Sequence, residues 1–110
     1  MPPIRRGAVI EYPALFDFDS YPRPYLIVSG QSHPFHGEEY IGIAITTTAL
    51  ESAIPISDDA WIRGGLPKES FLKPWQPTLL KHADISDAFG VLRQTVVDRT
   101  AEELASVIRN

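Results

Sequence analysis

At 110 residues, 44% of them apolar, the chain has the size and core-forming share of a single domain, and residues 1–110 are read as one. The absence of cysteine excludes disulfides, a thiolate metal site and a cysteine nucleophile, so packing alone must hold the fold. A net charge of −4 argues against general electrostatic attraction to nucleic acid, and any such contact must use a local basic spot.

Met1 to Arg6 carry two arginines but lead into a strand pattern, and no run approaches the roughly 18 apolar residues of a membrane span. The reading is a soluble, cytoplasmic protein with no membrane contact. Gly7-Ala8-Val9-Ile10-Glu11-Tyr12 forms a first strand, stopped by Pro13, because branched and aromatic residues suit a pleated surface and proline cannot continue a ladder. Residues 13–24 follow as a ring-rich loop with Phe16, Phe18 and Tyr21, two acids (Asp17, Asp19) and, near its end, Pro22 and Pro24, a composition that suits an ordered recognition loop. Tyr25-Leu26-Ile27-Val28-Ser29, closed by Gly30, reads as a strand buried on both faces.

After a polar connection holding His33 and His36, residues 40–48 make the clearest strand, ending in Thr46, Thr47 and Thr48. Residues 52–62 read as a short strand pair around Pro55 and an Asp58-Asp59 turn, and 63–68 as a further turn. Residues 69–73 alternate as a strand ending at Pro74, and 78–82 are extended again. Ser86 to Phe89 reads as a single helical turn closed by Gly90, while Thr100-x-x-Glu103 has the form of a capping box opening a helix over 104–109. Many short strands and one terminal helix predict a mainly β fold, a small barrel rather than a layered α/β sheet.

Arg6-Gly7-Ala8-Val9-Ile10, Arg23-Pro24-Tyr25-Leu26-Ile27-Val28, Ala44-Ile45-Thr46 and Gly65-Leu66-Pro67-Lys68-Glu69-Ser70, in this order, resemble the MazF/PemK family of toxin-antitoxin endoribonucleases. The resemblance covers most of the chain and is weakest in the last third. It implies an SH3-like barrel, a homodimer, and sequence-selective cleavage of single-stranded RNA by attack of the ribose 2′-hydroxyl on the adjacent phosphate, with no metal and no cofactor. It also implies a cognate antitoxin that inserts a disordered segment into the same groove. Arg23 matches the family's catalytic arginine and Thr46 its catalytic threonine, with Thr47 the neighbouring choice.

The chemistry suits those residue types: a guanidinium grips phosphate oxygens bidentately, and a hydroxyl is a small neutral donor at close range. Read without the resemblance, Arg23 is a solvated loop arginine paired with Asp17 or Asp19, and Thr46 an ordinary β-branched strand residue. Departures are as informative. The recognition loop has no glutamate, which leaves Asp19 as its candidate substrate contact. Where some relatives read Arg-x-Asp-Gln-Pro, this chain reads Lys73-Pro74-Trp75-Gln76-Pro77, so Lys73, Trp75 and Gln76 are the candidate substrate-binding residues there. Lys73 neutralises a phosphate without bidentate grip; Trp75 is either a platform for a base or a core or interface aromatic.

His33-x-x-His36 has metal-ligand spacing only on a helix, which Pro34 forbids, so the pair is read as a polar loop. The competing function is a protein-binding module on the same barrel, catalytically silent or acting as the gyrase-directed CcdB poisons do. The missing glutamate and the overall acidity favour it, and the ending Val107-Ile108-Arg109-Asn110, which lacks the aromatic terminus of those poisons, counts against it.

Overall fold

The computed structural model describes residues 2–14 and 21–110. Among them are seven strands, β1 (Ala8–Tyr12), β2 (Arg23–Ile27), β3 (Glu39–Thr46), β4 (Ile54–Ile56), β5 (Trp61–Gly64), β6 (Ser70–Lys81) and β7 (Asp87–Leu92), followed by the helix α1 (Gln94–Arg109). The strands form one antiparallel sheet in the order β4-β6-β3-β2-β1-β7-β5.

β4 and β5 are the two edges of this sheet, yet in sequence only residues 57–60, with a 3-10 turn at Asp58–Ala60, separate them. Seven strands laid flat would hold their edges about 29 Å apart at the usual strand spacing. The peptide steps from Ile56 to Trp61 reach at most about 18 Å. The sheet therefore has to curl, and it forms a half-barrel whose seam runs between β4 and β5.

Alternation along the strands gives both faces an apolar layer. Val9, Leu26, Ile43, Ile45, Ile54, Ile56, Leu72 and Leu92 fill the inside of the curl, and Val97 of α1 closes it with Val96 and Leu104 beside it. The neighbouring residues Ala8, Ile10, Tyr12, Ile27, Tyr40 and Leu80 make a second cluster on the other face, covered by Ile4, Tyr25 and Ile85. Burying both faces explains why β1 and β2 read as near-continuous apolar runs.

Several expected elements differ from those observed. The two strands foreseen in 52–62 exist as β4 and β5, but they lie on opposite edges and do not pair with each other. β5 also takes in Arg63 and Gly64, which had the look of a turn. The segments expected as strands at 69–73 and 78–82 merge into one strand, β6, which spans Ser70–Lys81 and runs through Pro74 and Pro77. Prolines are tolerated there because β4 stops pairing at Leu72, and β6 has no partner beyond it on that side among the described residues. Residues 87–92 are strand rather than helix, since β7 is paired on both sides, to β1 and β5. The helix opens at Gln94; Thr100 is fully buried inside it and donates its hydroxyl to the Val96 carbonyl at 2.8 Å, so it caps nothing.

Candidate functional site

Arg23 is the first residue of β2 and Thr46 the last of β3. These strands pair with Tyr25 opposite Ala44 and Leu26 opposite Ile43. Continued by two residues, this register puts Arg23 across from Thr46 on one face, where directly opposed Cα atoms lie about 4.5–5.5 Å apart. The antiparallel pairing is thus what brings the two sequence-distant residues together.

β6 supplies the other wall through an irregularity. Ile43 pairs with Pro77 and Ile45 with Leu72, so β3 advances two residues while β6 advances five. The additional residues, in 73–76, bulge out of the ladder beside Ala44, which re-aims their side chains; bulges commonly serve this purpose next to sites. Lys73 and Gln76 thereby join Arg23, Tyr25, Ala44 and Thr46 around a depression of ≈ 280 Å³. A second depression of ≈ 410 Å³ shares Arg23, Pro24, Ile45 and Thr46 with it and extends past Tyr21, Thr47 and Thr48 to Lys68 and Ser70. The two form one groove, with Arg23 and Thr46 at its middle.

Of the sequence-predicted site residues, Arg23, Thr46, Thr47, Lys73 and Gln76 therefore share this groove. Trp75 does not line it; the side chain is 37% exposed on the bulge between Lys73 and Gln76, where it suits a platform or a docking contact better than a core aromatic. Asp19 and Asp17 lie outside the described residues. Lys68 and Ser70 belong to the groove although no role was assigned to them, and Tyr21, 84% exposed at its mouth, is the described member of the ring-rich loop. A further cavity of ≈ 480 Å³ adjoins the groove across Lys68 and Ser70.

Hydrogen bonding readies the groove chemically. Thr46 Oγ1 accepts the Thr48 N–H at 3.1 Å, which fixes the hydroxyl and leaves its proton to be donated. Arg23 is exposed, and no acid among the described residues forms an ion pair with it. Three cations, Lys68, Arg23 and Lys73, follow one another along the groove, and no carboxylate or imidazole lines its two depressions among the described residues. On the second cluster's side the floor is braced by Tyr12, whose ring meets that of Tyr25 edge-on at 6.1 Å. Burial raises the Tyr12 hydroxyl above the usual phenol value of 10.0, and the Asp84 carboxylate pushes it in the same direction.

The histidine pair is not a site in this arrangement. His33 Nδ1 accepts the Phe35 N–H at 3.0 Å, and His36 packs edge-on against Tyr40. Among the described residues no three His, Cys, Asp or Glu side chains come together as metal ligands, and no helix is long and apolar enough to cross a membrane.

No family model matches the sequence, and no curated protein matches it. The fold does have solved counterparts. An endoribonuclease from a mycobacterial species, in complex with its cognate antitoxin, superposes with a TM-score of 0.69 at 16% identity, over 97% of this chain and 93% of that one. A second mycobacterial endoribonuclease gives 0.66 at 19% identity, over 98% and 93%. The Mycobacterium tuberculosis toxin MazF-mt6 gives 0.69 at 18% identity, over 92% and 95%. The half-barrel with its terminal helix is thus the MazF toxin fold over nearly the whole chain.

Proposed function

We propose that this protein is the toxin of a toxin-antitoxin pair and a metal-independent endoribonuclease that cuts single-stranded RNA in the cytoplasm at selected sequences. The observation that carries the reading is the meeting of Arg23 and a hydroxyl proton of Thr46 in one groove lined by a row of cations. A row of Lys68, Arg23 and Lys73 in an otherwise acidic protein suits a polyanionic ligand. Likeness of fold to endoribonucleases is in accord with it, although fold by itself does not give function.

In the proposed reaction the ribose 2′-oxygen attacks the adjacent phosphorus and the bond from phosphorus to the 5′-oxygen breaks. The products are a 2′,3′-cyclic phosphate and a 5′-hydroxyl; the 2′ proton is lost and the leaving oxygen gains one. Charge builds on the phosphorane oxygens, where the Arg23 fork and the Thr46 hydroxyl are placed to donate. Lys73 neutralises a neighbouring phosphate, Gln76 and Thr47 offer hydrogen bonds to the strand, and Trp75 stacks a base at the rim. Asp19, a few residues before Arg23, is proposed as a further substrate contact. An antitoxin, such as the mycobacterial relative binds, would occupy the same groove. A second copy is proposed to cover Ile41 and Leu79, exposed side chains that face each other across β3 and β6.

The test is incubation with a long single-stranded RNA in EDTA, beside Arg23→Ala, with the cut ends mapped. Discrete cuts bearing 5′-hydroxyls are expected, slowed by about 10²–10³-fold in the variant, the usual cost of one oxyanion-stabilising donor. A folded protein that makes no cuts from low to molar salt would overturn the reading and favour a protein-binding module of the gyrase-poison kind.

A further inference from the structure

The groove does not end at Thr48. Lys68 and Ser70 are common to it and to the cavity of ≈ 480 Å³ built at the barrel seam. Ile56 and Ser70, register partners across β4 and β6 and both buried, lie at its base. Trp61, the first residue of β5, forms one side, where its ring packs against the bare backbone of Gly90. Asp58 and Glu69 are exposed on the rim. At the junction the buried Ser70 hydroxyl donates to the Lys68 carbonyl at 2.8 Å, which anchors the root of that lysine between the two hollows.

We propose that this cavity is the subsite for the nucleotide next to the phosphate held by Arg23 and Thr46, and that it favours guanine; the proposal rests on the ribonuclease reading. A strand lying along the groove and leaving it at this end passes Lys68 first, where the next phosphate meets a positive charge, and then the seam. The volume falls in the range of roughly 300–1,000 Å³ that small-molecule pockets occupy, enough for a base with its ribose. Single-stranded RNA is held by unstacked bases laid on aromatic rings and read along their hydrogen-bonding edges, and Trp61 with Pro67 offers the apolar surface for that.

The rim then decides between bases. Asp58 and Glu69 offer carboxylate oxygens, which accept hydrogen bonds. Guanine presents two adjacent donors, its N1–H and its 2-amino group, and meets a carboxylate bidentately. Adenine and cytosine place an acceptor beside their amino group, and uracil flanks its single N–H with two carbonyls, so each sets an acceptor against an acceptor. Lys68 offsets the repulsion that the two acids exert on the backbone phosphates.

Binding can be read apart from cleavage with a randomised library of single-stranded oligonucleotides carrying 2′-deoxy sugars, which cannot be cut by 2′-hydroxyl attack. Guanine should be enriched at one position among bound molecules, and inosine there, lacking the 2-amino group, should weaken binding by about tenfold. The double variant Asp58→Asn, Glu69→Gln, altered only at exposed side chains, should lose both the enrichment and the inosine effect. Lys68→Ala should weaken all sequences alike and keep the preference. Absence of guanine enrichment, or enrichment that survives the double variant, would overturn the subsite. Mapping cuts in ordinary RNA alongside separates the two readings: cuts with no guanine beside them sink the subsite alone, whereas a guanine preference in binding without any cuts sinks the nuclease alone.

Discussion

A threonine hydroxyl has one proton and two lone pairs, and at Thr46 the Thr48 N–H fixes one of the lone pairs at 3.1 Å. The side chain is half-buried at the strand end, so its loss removes a donor from the groove without opening the core. Thr46→Val, which keeps the shape and deletes the hydroxyl, should lower kcat by about 10²–10³-fold while changing stability by less than about 1 kcal/mol. Thr46→Ser should restore most of the rate, because serine carries the same proton and lone pairs. Single-turnover cleavage beside a thermal melt checks this, and a serine variant as slow as the valine one would rule out the hydroxyl. Arg23 and Thr46 stood out as candidates only through the resemblance, which rests on an arginine before Pro-Tyr-Leu-Ile and a threonine after Ala-Ile in their order along the chain. Lys68 was not, since Gly65-Leu66-Pro67-Lys68 announces only a turn, and its place in the groove follows from β4 and β6 meeting nearby.

At the scale of elements, what the chain spells locally and what it forms part company where pairing decides. Ser86-Asp87-Ala88-Phe89 has no strong strand propensity, yet β7 is held between β1 and β5, and the Gly64–Gly90 pair lets two backbones approach where any Cβ would clash. The opening of α1 was illegible for a different reason: Arg93 at its N-cap makes no side-chain cap, so no local signal marks the start. Tyr12 shows how such elements are tied. From β1 its hydroxyl accepts the Lys81 N–H of β6 at 2.9 Å and donates to Asp84 at 3.3 Å. Its pKa is raised by burial first, so the folded chain holds the proton more tightly than the unfolded one. Stability from this group is complete below about pH 10, where both states are protonated, and is lost as pH rises through the folded value, because the unfolded state ionises first. Urea denaturation as a function of pH should therefore show a fall above about pH 10 that flattens in Tyr12→Phe. That variant should also lose about 1–3 kcal/mol at neutral pH through the partners left behind. An alkaline limb identical in both proteins would mean that Tyr12 does not carry it.

The whole molecule poses an electrostatic question, since a chain of net charge −4 is proposed to hold a polyanion. The half-barrel answers it by geometry. Its topology was only half legible, because sequence neighbours such as β4 and β5 usually pair, whereas here they flank an open seam that no local pattern records. The same curl gathers Lys68 from a turn, Arg23 from the start of β2 and Lys73 from the bulge of β6 into one row, while most of the acids lie elsewhere. Binding through that row releases counterions, and each phosphate neutralised on a single strand contributes about −0.7 to the slope of log affinity against log salt. Three cations predict a slope near −2, roughly −1.4 once Lys73→Ala removes one of them. Fluorescence anisotropy with a 2′-deoxy oligonucleotide, titrated across salt concentrations, measures both. Attraction spread over the whole surface would be repulsive at this net charge and would give a slope near zero or of opposite sign, indifferent to Lys73. A steep slope that the single substitution reduces places the strand along Lys68, Arg23 and Lys73; a flat one removes it from that path.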